Sequence, residues 1–198
     1  MFTFDKKEMN KREGADMNSG SFIWELIKVV IIALIIIIPV RFCVAQPFTV
    51  NGDSMKDNFH NKDYLIVDEL SYRFKSVERG DVIVFKFPQN PKEFYIKRVI
   101  GLPLEIVKIE DGNVYICNNE YPDCFKLDES DYLSLYERTP GNKEIEAESG
   151  SYVVLGDNRN ASSDSRSWGT LDKKYIVGKV VFRAWPFDDF GIIHGLTY

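Results

Sequence analysis

The chain has 198 residues with a formal net charge of −5, and 44% of its side chains are hydrophobic against 28% charged. Residues 1–40 hold as many acids as bases, so the whole negative charge belongs to residues 41–198; an acidic domain with no basic cluster argues against nucleic acid as a partner. About 155 residues follow the apolar N-terminal stretch, enough for one domain with its own core.

In chain order, the first element is that stretch, Phe22 to Val40, close to the ~20 residues a membrane-spanning helix needs. Its two charges, Glu25 and Lys28, stand three apart on one helical face near one end, where they can pair or reach the headgroups. Val29 to Val40 carries no charge, and Pro39 falls near the far end, where a break costs little. Cys43-Val44-Ala45 offers the small residues of a signal-peptide cleavage site. The apolar run is longer than a usual signal-peptide core, however, and Arg41 interrupts the approach. The reading is a retained anchor. Lys6, Lys7, Lys11 and Arg12 precede it and only Arg41 follows closely, so the N-terminus is expected on the cytoplasmic side and the large domain outside. The expected organisation is a tail over 1–20, a transmembrane helix over 21–43, and an extracytoplasmic domain over 44–198.

That domain reads as mostly β. Tyr64 to Val67, Asp81 to Phe87, Phe94 to Ile100, Glu105 to Ile109, Val114 to Cys117, Ser151 to Leu155 and Lys174 to Trp185 are rich in β-branched and aromatic residues, with turn residues between them. Asp111-Gly112 between two of these runs is a hairpin signature. Residues 118–149 are acidic and polar, and read as an insertion or loop region with short elements. A barrel- or sandwich-like β domain is expected. Cys117 and Cys124 lie on the outer side, where oxidation is available, and their pairing stays open. Two cysteines with only His60 and His194, both remote, do not make a zinc set, so no metal or cofactor is expected.

Ser54, in Val50-Asn51-Gly52-Asp53-Ser54-Met55, lies 14 residues beyond Val40. A serine hydroxyl needs a base to become a nucleophile. His60 and His194 read more readily as solvated loop residues, and Lys56 stands where a Gly-x-Ser-x-Gly elbow would have its second glycine. Lys97 is the other candidate, on a strand where Tyr95, Lys97 and Val99 share one face. As a base near pH 7 its pKa must fall about three units, at ~4 kcal/mol, which burial among apolar groups achieves. The competing reading is a lysine that snorkels from the sheet or pairs with a carboxylate. A third segment, Gly156 to Arg166, is a polar loop in which one hydroxyl could orient the lysine amine while Asp164 and Arg166 brace the turn.

Together the three segments resemble type I signal peptidase, a membrane-bound serine–lysine protease. Gly52-Asp53-Ser54-Met55 is similar to its Gly-x-Ser-Met box, Lys97 to Pro103 to its Lys-Arg-Val-Ile-Gly-Leu-Pro box, and Gly156 to Arg166 to its Gly-Asp-Asn-x-x-x-Ser-x-Asp-Ser-Arg box. The likeness runs from the anchor to Trp185-Pro186. It implies Ser54 as nucleophile, Lys97 as general base, Ser162 bonding the lysine, and Asp164 and Arg166 in support. With Gly52 where some members carry an oxyanion-binding serine, the hole would rest on backbone N–H groups, chiefly that of Ser54. The substrate would bind as an extended strand, with Val50, Asp53, Met55 and Tyr95 as its contacts and small residues preferred before the cut. Implied partners are signal-peptide-bearing preproteins and the lipid bilayer, with the secretion machinery a candidate. A serine–lysine protease with another target and an inactive membrane-tethered β module that binds emerging chains are the alternatives. Two departures stand out. Lys56-Asp57-Asn58 follows Ser54-Met55 where the family usually has x-Pro-Thr, which puts the rigidity of that loop in question, and Leu104-Glu105 replaces a common Gly-Asp.

Overall fold

The computed structural model describes residues 19–43, 45–134, 136–193 and 195; His194 and the bases Lys6 to Arg12 lie outside these. The chain divides after Val40 into two compact units.

The first unit is carried by helix α1, Ser19–Cys43. Its long apolar side chains from Phe22 to Ile37 are exposed on every side, and Lys28 Nζ lies 5.7 Å from the centre of the Trp24 ring. Among the described residues no helix is long and apolar enough to cross a membrane. The described side chains of α1 run from residue 22 to residue 37, fewer than the ~20 residues a span requires.

The second unit is mostly β. Strands β1 (Ala45–Thr49), β2 (Tyr64–Asp68), β3 (Val82–Phe87) and β4 (Asn90–Gly101) come first, with a short helix α2 (Ser71–Phe74) between β2 and β3. They are followed by β5 (Ile106–Glu110), β6 (Asn113–Cys117), β7 (Phe125–Lys126) and β8 (Lys143–Glu146). The chain ends with β9 (Ser151–Leu155), helix α3 (Ser165–Trp168), β10 (Leu171–Asp172), β11 (Ile176–Trp185) and β12 (Gly191–Ile192). One sheet runs β1-β2-β11-β3-β4-β9-β10 with β12 on β11, and a second runs β7-β6-β5-β8; every pairing is antiparallel.

β3 shows why its residues form a central strand. Val82 and Val84 enter one core with Met55, Leu65, Val67 and Val180; Ile83 and Phe85 enter another with Val99, Tyr152, Val154 and Leu171. A strand covered on both faces needs an unbroken apolar run. A third core lies between β9 and the second sheet, with Val107, Ile109, Val114 and Ile116 facing Val153 and Leu155.

Asp111 and Gly112 take φ of +51° and +78°, and Glu110 pairs with Asn113 across that two-residue turn. Cys117 and Cys124 are disulfide-bonded, closing the loop between β6 and β7. Expected strand Lys174 to Trp185 starts later: Lys173–Tyr175 is a 3₁₀ turn because the Asp172 carboxylate caps the Lys174 N–H at 2.9 Å.

The Leu104-Glu105 departure has two different outcomes. Glu105 is buried and satisfied, accepting from Arg79 Nη2 and the Leu102 N–H at 2.8 Å each and from Asn118 Nδ2 at 3.1 Å. Leu104, by contrast, is 70% exposed at a φ of +69°, a left-handed conformation that disfavours any residue with a Cβ. Leu104→Gly is therefore expected to stabilise the domain by about 1 kcal/mol, read as a higher urea midpoint at unchanged slope. An unchanged or lower midpoint would count against strain at this turn.

Candidate active site

β1 leads into the serine loop. The Val50 N–H donates to Asp63 O at 2.9 Å, and the Lys62 N–H to Val50 O at 2.8 Å, fixing both ends of residues 50–63. At Gly52 the chain takes a φ of +105°, and its N–H donates to Asn61 Oδ1 at 3.3 Å. Ser54 follows, half-buried. Met55 turns the other way, is 1% exposed, and packs with Phe59 and Leu65 in the core. The apolar side chain beside the serine thus anchors the loop and does not line the groove.

Lys97 comes from β4, opposite Ile83 of β3. It is 3% exposed, and its Nζ donates to Ser54 Oγ at 2.7 Å and to Ile96 O at 2.8 Å. When the amine is neutral, the same separation serves the reverse bond, from the serine O–H to the nitrogen. Burial pushes the Lys97 pKa down from 10.5 to about 8, although Asp164 and Asp157 pull it back up. The arrangement can remove a proton from a serine at mildly alkaline pH.

The loop after β9 closes the site. Asp164 is fully buried, accepts from Arg166 Nε at 2.8 Å and Nη2 at 2.7 Å, and accepts from the Gly156 N–H at 3.1 Å. Burial alone would push its carboxyl up; the bonds and charge of Arg166 hold it below the usual value. Asp157 is paired with Arg98, Nε at 2.9 Å and Nη2 at 2.6 Å. Ser162 Oγ is buried beside Gly156 and has no hydrogen-bond partner among the described residues; the Lys97 amine spends its two bonds elsewhere.

A groove of about 540 Å³ runs between the two walls, with Val50, Gly52 and Asp53 on one side and Tyr95, Ile96 and Lys97 on the other. Phe48 and Phe94 approach to 5.4 Å between ring centres in it, and the Tyr95 ring lies 5.3 Å from Lys97 Nζ. Of the residues expected at the substrate, Val50, Asp53 and Tyr95 line this groove and Met55 does not. His60 is exposed on the serine loop and its backbone N–H donates to Asp63. Among the described residues no group of three His, Cys, Asp or Glu side chains could hold a metal ion.

Residues 23–185 match the family described as signal peptidase, peptidase S26. The chain belongs to that family. A signal peptidase I of Leptolyngbya laminosa is 35% identical over 180 residues, covering 87% of this chain and 85% of the relative. Signal peptidase IB of Staphylococcus aureus strain N315 is 33% identical over 171 residues, 80% of this chain and 87% of its own. A solved signal peptidase I of Enterococcus faecalis V583 is 30% identical and covers 54% of this chain and 97% of its own at a TM-score of 0.44. As a member of the signal peptidase family the chain is a serine endopeptidase of signal-peptide processing.

What the residue pattern did not disclose is the polar frame behind the groove: Asn58, Asp157 and Arg98 on one side, and Glu129, Tyr132 and Arg159 on the other. Its only trace in the sequence is a surplus of charges in segments that must be partly buried.

Proposed function

We propose that this signal peptidase cuts signal peptides from preproteins after small residues, with Ser54 as nucleophile and Lys97 as general base. The observation that carries this reading is the buried Lys97 amine 2.7 Å from Ser54 Oγ, with both residues lining a groove of about 540 Å³. The neutral amine takes the Ser54 proton as Oγ attacks the scissile carbonyl. The backbone N–H of Ser54 is assigned to the developing oxyanion, as the family resemblance implies. The protonated amine then gives its proton to the leaving nitrogen, and the same amine activates the water that hydrolyses the acyl-enzyme. The family resemblance assigns Ser162 to the lysine, although its Oγ makes no bond to the amine in this arrangement, and the Asp164–Arg166 pair keeps its loop in place. Val50, Asp53 and Tyr95 contact the substrate, while Met55 holds the serine loop from behind.

The apolar stretch Phe22 to Val40 is the anchor, within residues 21–43. From Val29 onward it is apolar all round, a pattern that belongs in lipid or in a large core. The bases at Lys6, Lys7, Lys11 and Arg12 favour a cytoplasmic tail over 1–20 and an extracytoplasmic domain over 44–198. On this reading the β domain works on the side where preproteins emerge, with lipid as one partner and the secretion machinery as another.

The test is cleavage of a preprotein in detergent by the full chain and by its Ser54→Ala and Lys97→Ala variants. Wild type is expected to release the mature product and both variants to lose at least about 10³-fold in rate. A wild type that cuts nothing, or either variant cutting normally, defeats the assignment.

A further inference from the structure

Asp57 has a φ of +88°, a value closed to proline, whose ring holds φ near −65°. The loop after Ser54-Met55 is therefore a different turn from one stiffened by a ring, and something else must hold it. Asn58 is half-buried and spends both amide hydrogens across the fold: Nδ2 donates to Tyr132 O at 2.7 Å and to Asp157 Oδ2 at 2.9 Å. The Asn58 backbone carbonyl accepts from Arg183 Nη2.

Both bonds lead back to the reacting pair. Asp157 takes the bidentate bonds of Arg98, the next residue after Lys97 on β4, and Arg98 Nη1 donates to Gly80 O at 3.0 Å. Tyr132 lays its ring 4.2 Å from the Arg98 guanidinium carbon and donates its hydroxyl to Glu129 at 2.7 Å. Glu129 pairs with the buried Arg159, whose Nε donates to Gly156 O at 3.0 Å. The loop carrying Ser54 is tied to the same strip by Asn158, whose N–H donates to Ser54 O at 3.1 Å and whose Nδ2 donates to Asp53 O at 3.0 Å. Asn58 is the only side chain of residues 53–58 that joins this loop to Asp157 and to the 118–149 insertion at once among the described residues.

We propose that Asn58 is a positioning residue: through Asp157 and Arg98 it fixes the Ser54 loop against the strand of Lys97, and through Tyr132 O it recruits the insertion into the same brace. The inference rests on the Ser54–Lys97 reading above. An amide suits the place because it brings two donors without charge, whereas a carboxylate there would face Asp157. A misplacement on the order of 1 Å between nucleophile and base is enough to lose about two orders of magnitude in rate.

The experiment is steady-state cleavage of a signal-peptide substrate in detergent by full-length wild type, Ser54→Ala, Asn58→Ala and Asn58→Ser, each checked by thermal unfolding. Asn58→Ala, measured well below its unfolding midpoint, is expected to lose about 10- to 100-fold in kcat with KM within about twofold of wild type. Asn58→Ser keeps one donor and is expected to fall between. The acid limb of the rate profile should keep its midpoint, because Asp157 and Asp164 remain. A folded Asn58 variant with wild-type kcat, a rise in KM alone, or a displaced acid limb overturns the brace. If the alanine variant does not fold, the serine variant decides by its kcat; loss of folding in both means a structural role only and also overturns it. A silent wild type or an active Ser54→Ala overturns the catalytic reading and the brace with it, whereas an active wild type with unperturbed Asn58→Ala overturns the brace alone.

Discussion

Lys97→Met is expected to abolish cleavage and, at the same time, to stabilise the folded domain by about 2 kcal/mol at pH 7. The amine is 3% exposed and its pKa falls from 10.5 to about 8, with burial the main cause. Between those two values the unfolded chain holds a proton on this lysine that the folded chain has released, so stability rises with pH across the window. Below about pH 8 both states are protonated, and the full penalty of a buried charge, about 3 kcal/mol, is present. Losing the hydrogen bonds to Ser54 and Ile96 offsets part of the gain, at about 1 kcal/mol net. Urea unfolding of both proteins in detergent reads the difference, which should shrink to under about 1 kcal/mol near pH 10. On the proposed dyad the same titration governs activity: only the neutral amine accepts the serine proton, so the rate should climb about tenfold per pH unit below 8 and level off above it. A methionine variant less stable than wild type at pH 7, or a flat rate profile from about pH 6 to 9, would remove the lysine from the role of base.

The balance of cost and function at Lys97 also explains what could be read from the chain and what could not. Strand β3 was legible because Val82 to Phe85 feed two cores and must all be apolar. The hairpin at Asp111-Gly112 was legible because two adjacent positive φ angles demand such residues. β1 was hidden by its position just after the apolar N-terminal stretch and by Gln46-Pro47, a pair that does not look like a strand; an edge strand tolerates it. β8 was hidden by Lys143-Glu144-Ile145-Glu146, in which only Ile145 turns inward. For Lys97 the alternation of β4 put it on one face but could not say whether that face was wet, and only the neighbouring strands decide this. Ser54 and Lys97 are 43 residues apart, so local pattern could not bring them together; the three-box resemblance supplied the pairing. Asn58 had no such help. Its partners Tyr132 and Asp157 lie 74 and 99 residues away, and the acidic, polar look of residues 118–149 suggested a solvated loop where the fold uses Glu129 and Tyr132 as internal braces.

Gly156→Ala is expected to cost more activity than its single methyl group suggests, at least about 100-fold in kcat. A Cβ at this position would stand 2.1 Å from Ser162 Oγ, 2.5 Å from Ser162 Cβ and 2.4 Å from the carbonyl oxygen of Ser54. The glycine cannot retreat, because its N–H is held by Asp164 Oδ2 at 3.1 Å and its carbonyl by Arg159 Nε at 3.0 Å. The strain must therefore move Ser54 or Ser162. Gly178→Ala is the control: its Cβ would meet Asp68 O at 2.4 Å, a similar clash in the sheet. Both variants should lose about 1–3 kcal/mol of stability from overpacking, but only Gly156→Ala should lose its rate while still folded. Steady-state kinetics beside urea midpoints for the two variants separate the effects. Equal kcat in both would mean that the loop after β9 can shift without disturbing the serine. The glycine is needed here for space, since its backbone lies outside the left-handed region and a Cβ would run into Ser162 Oγ and the Ser54 carbonyl.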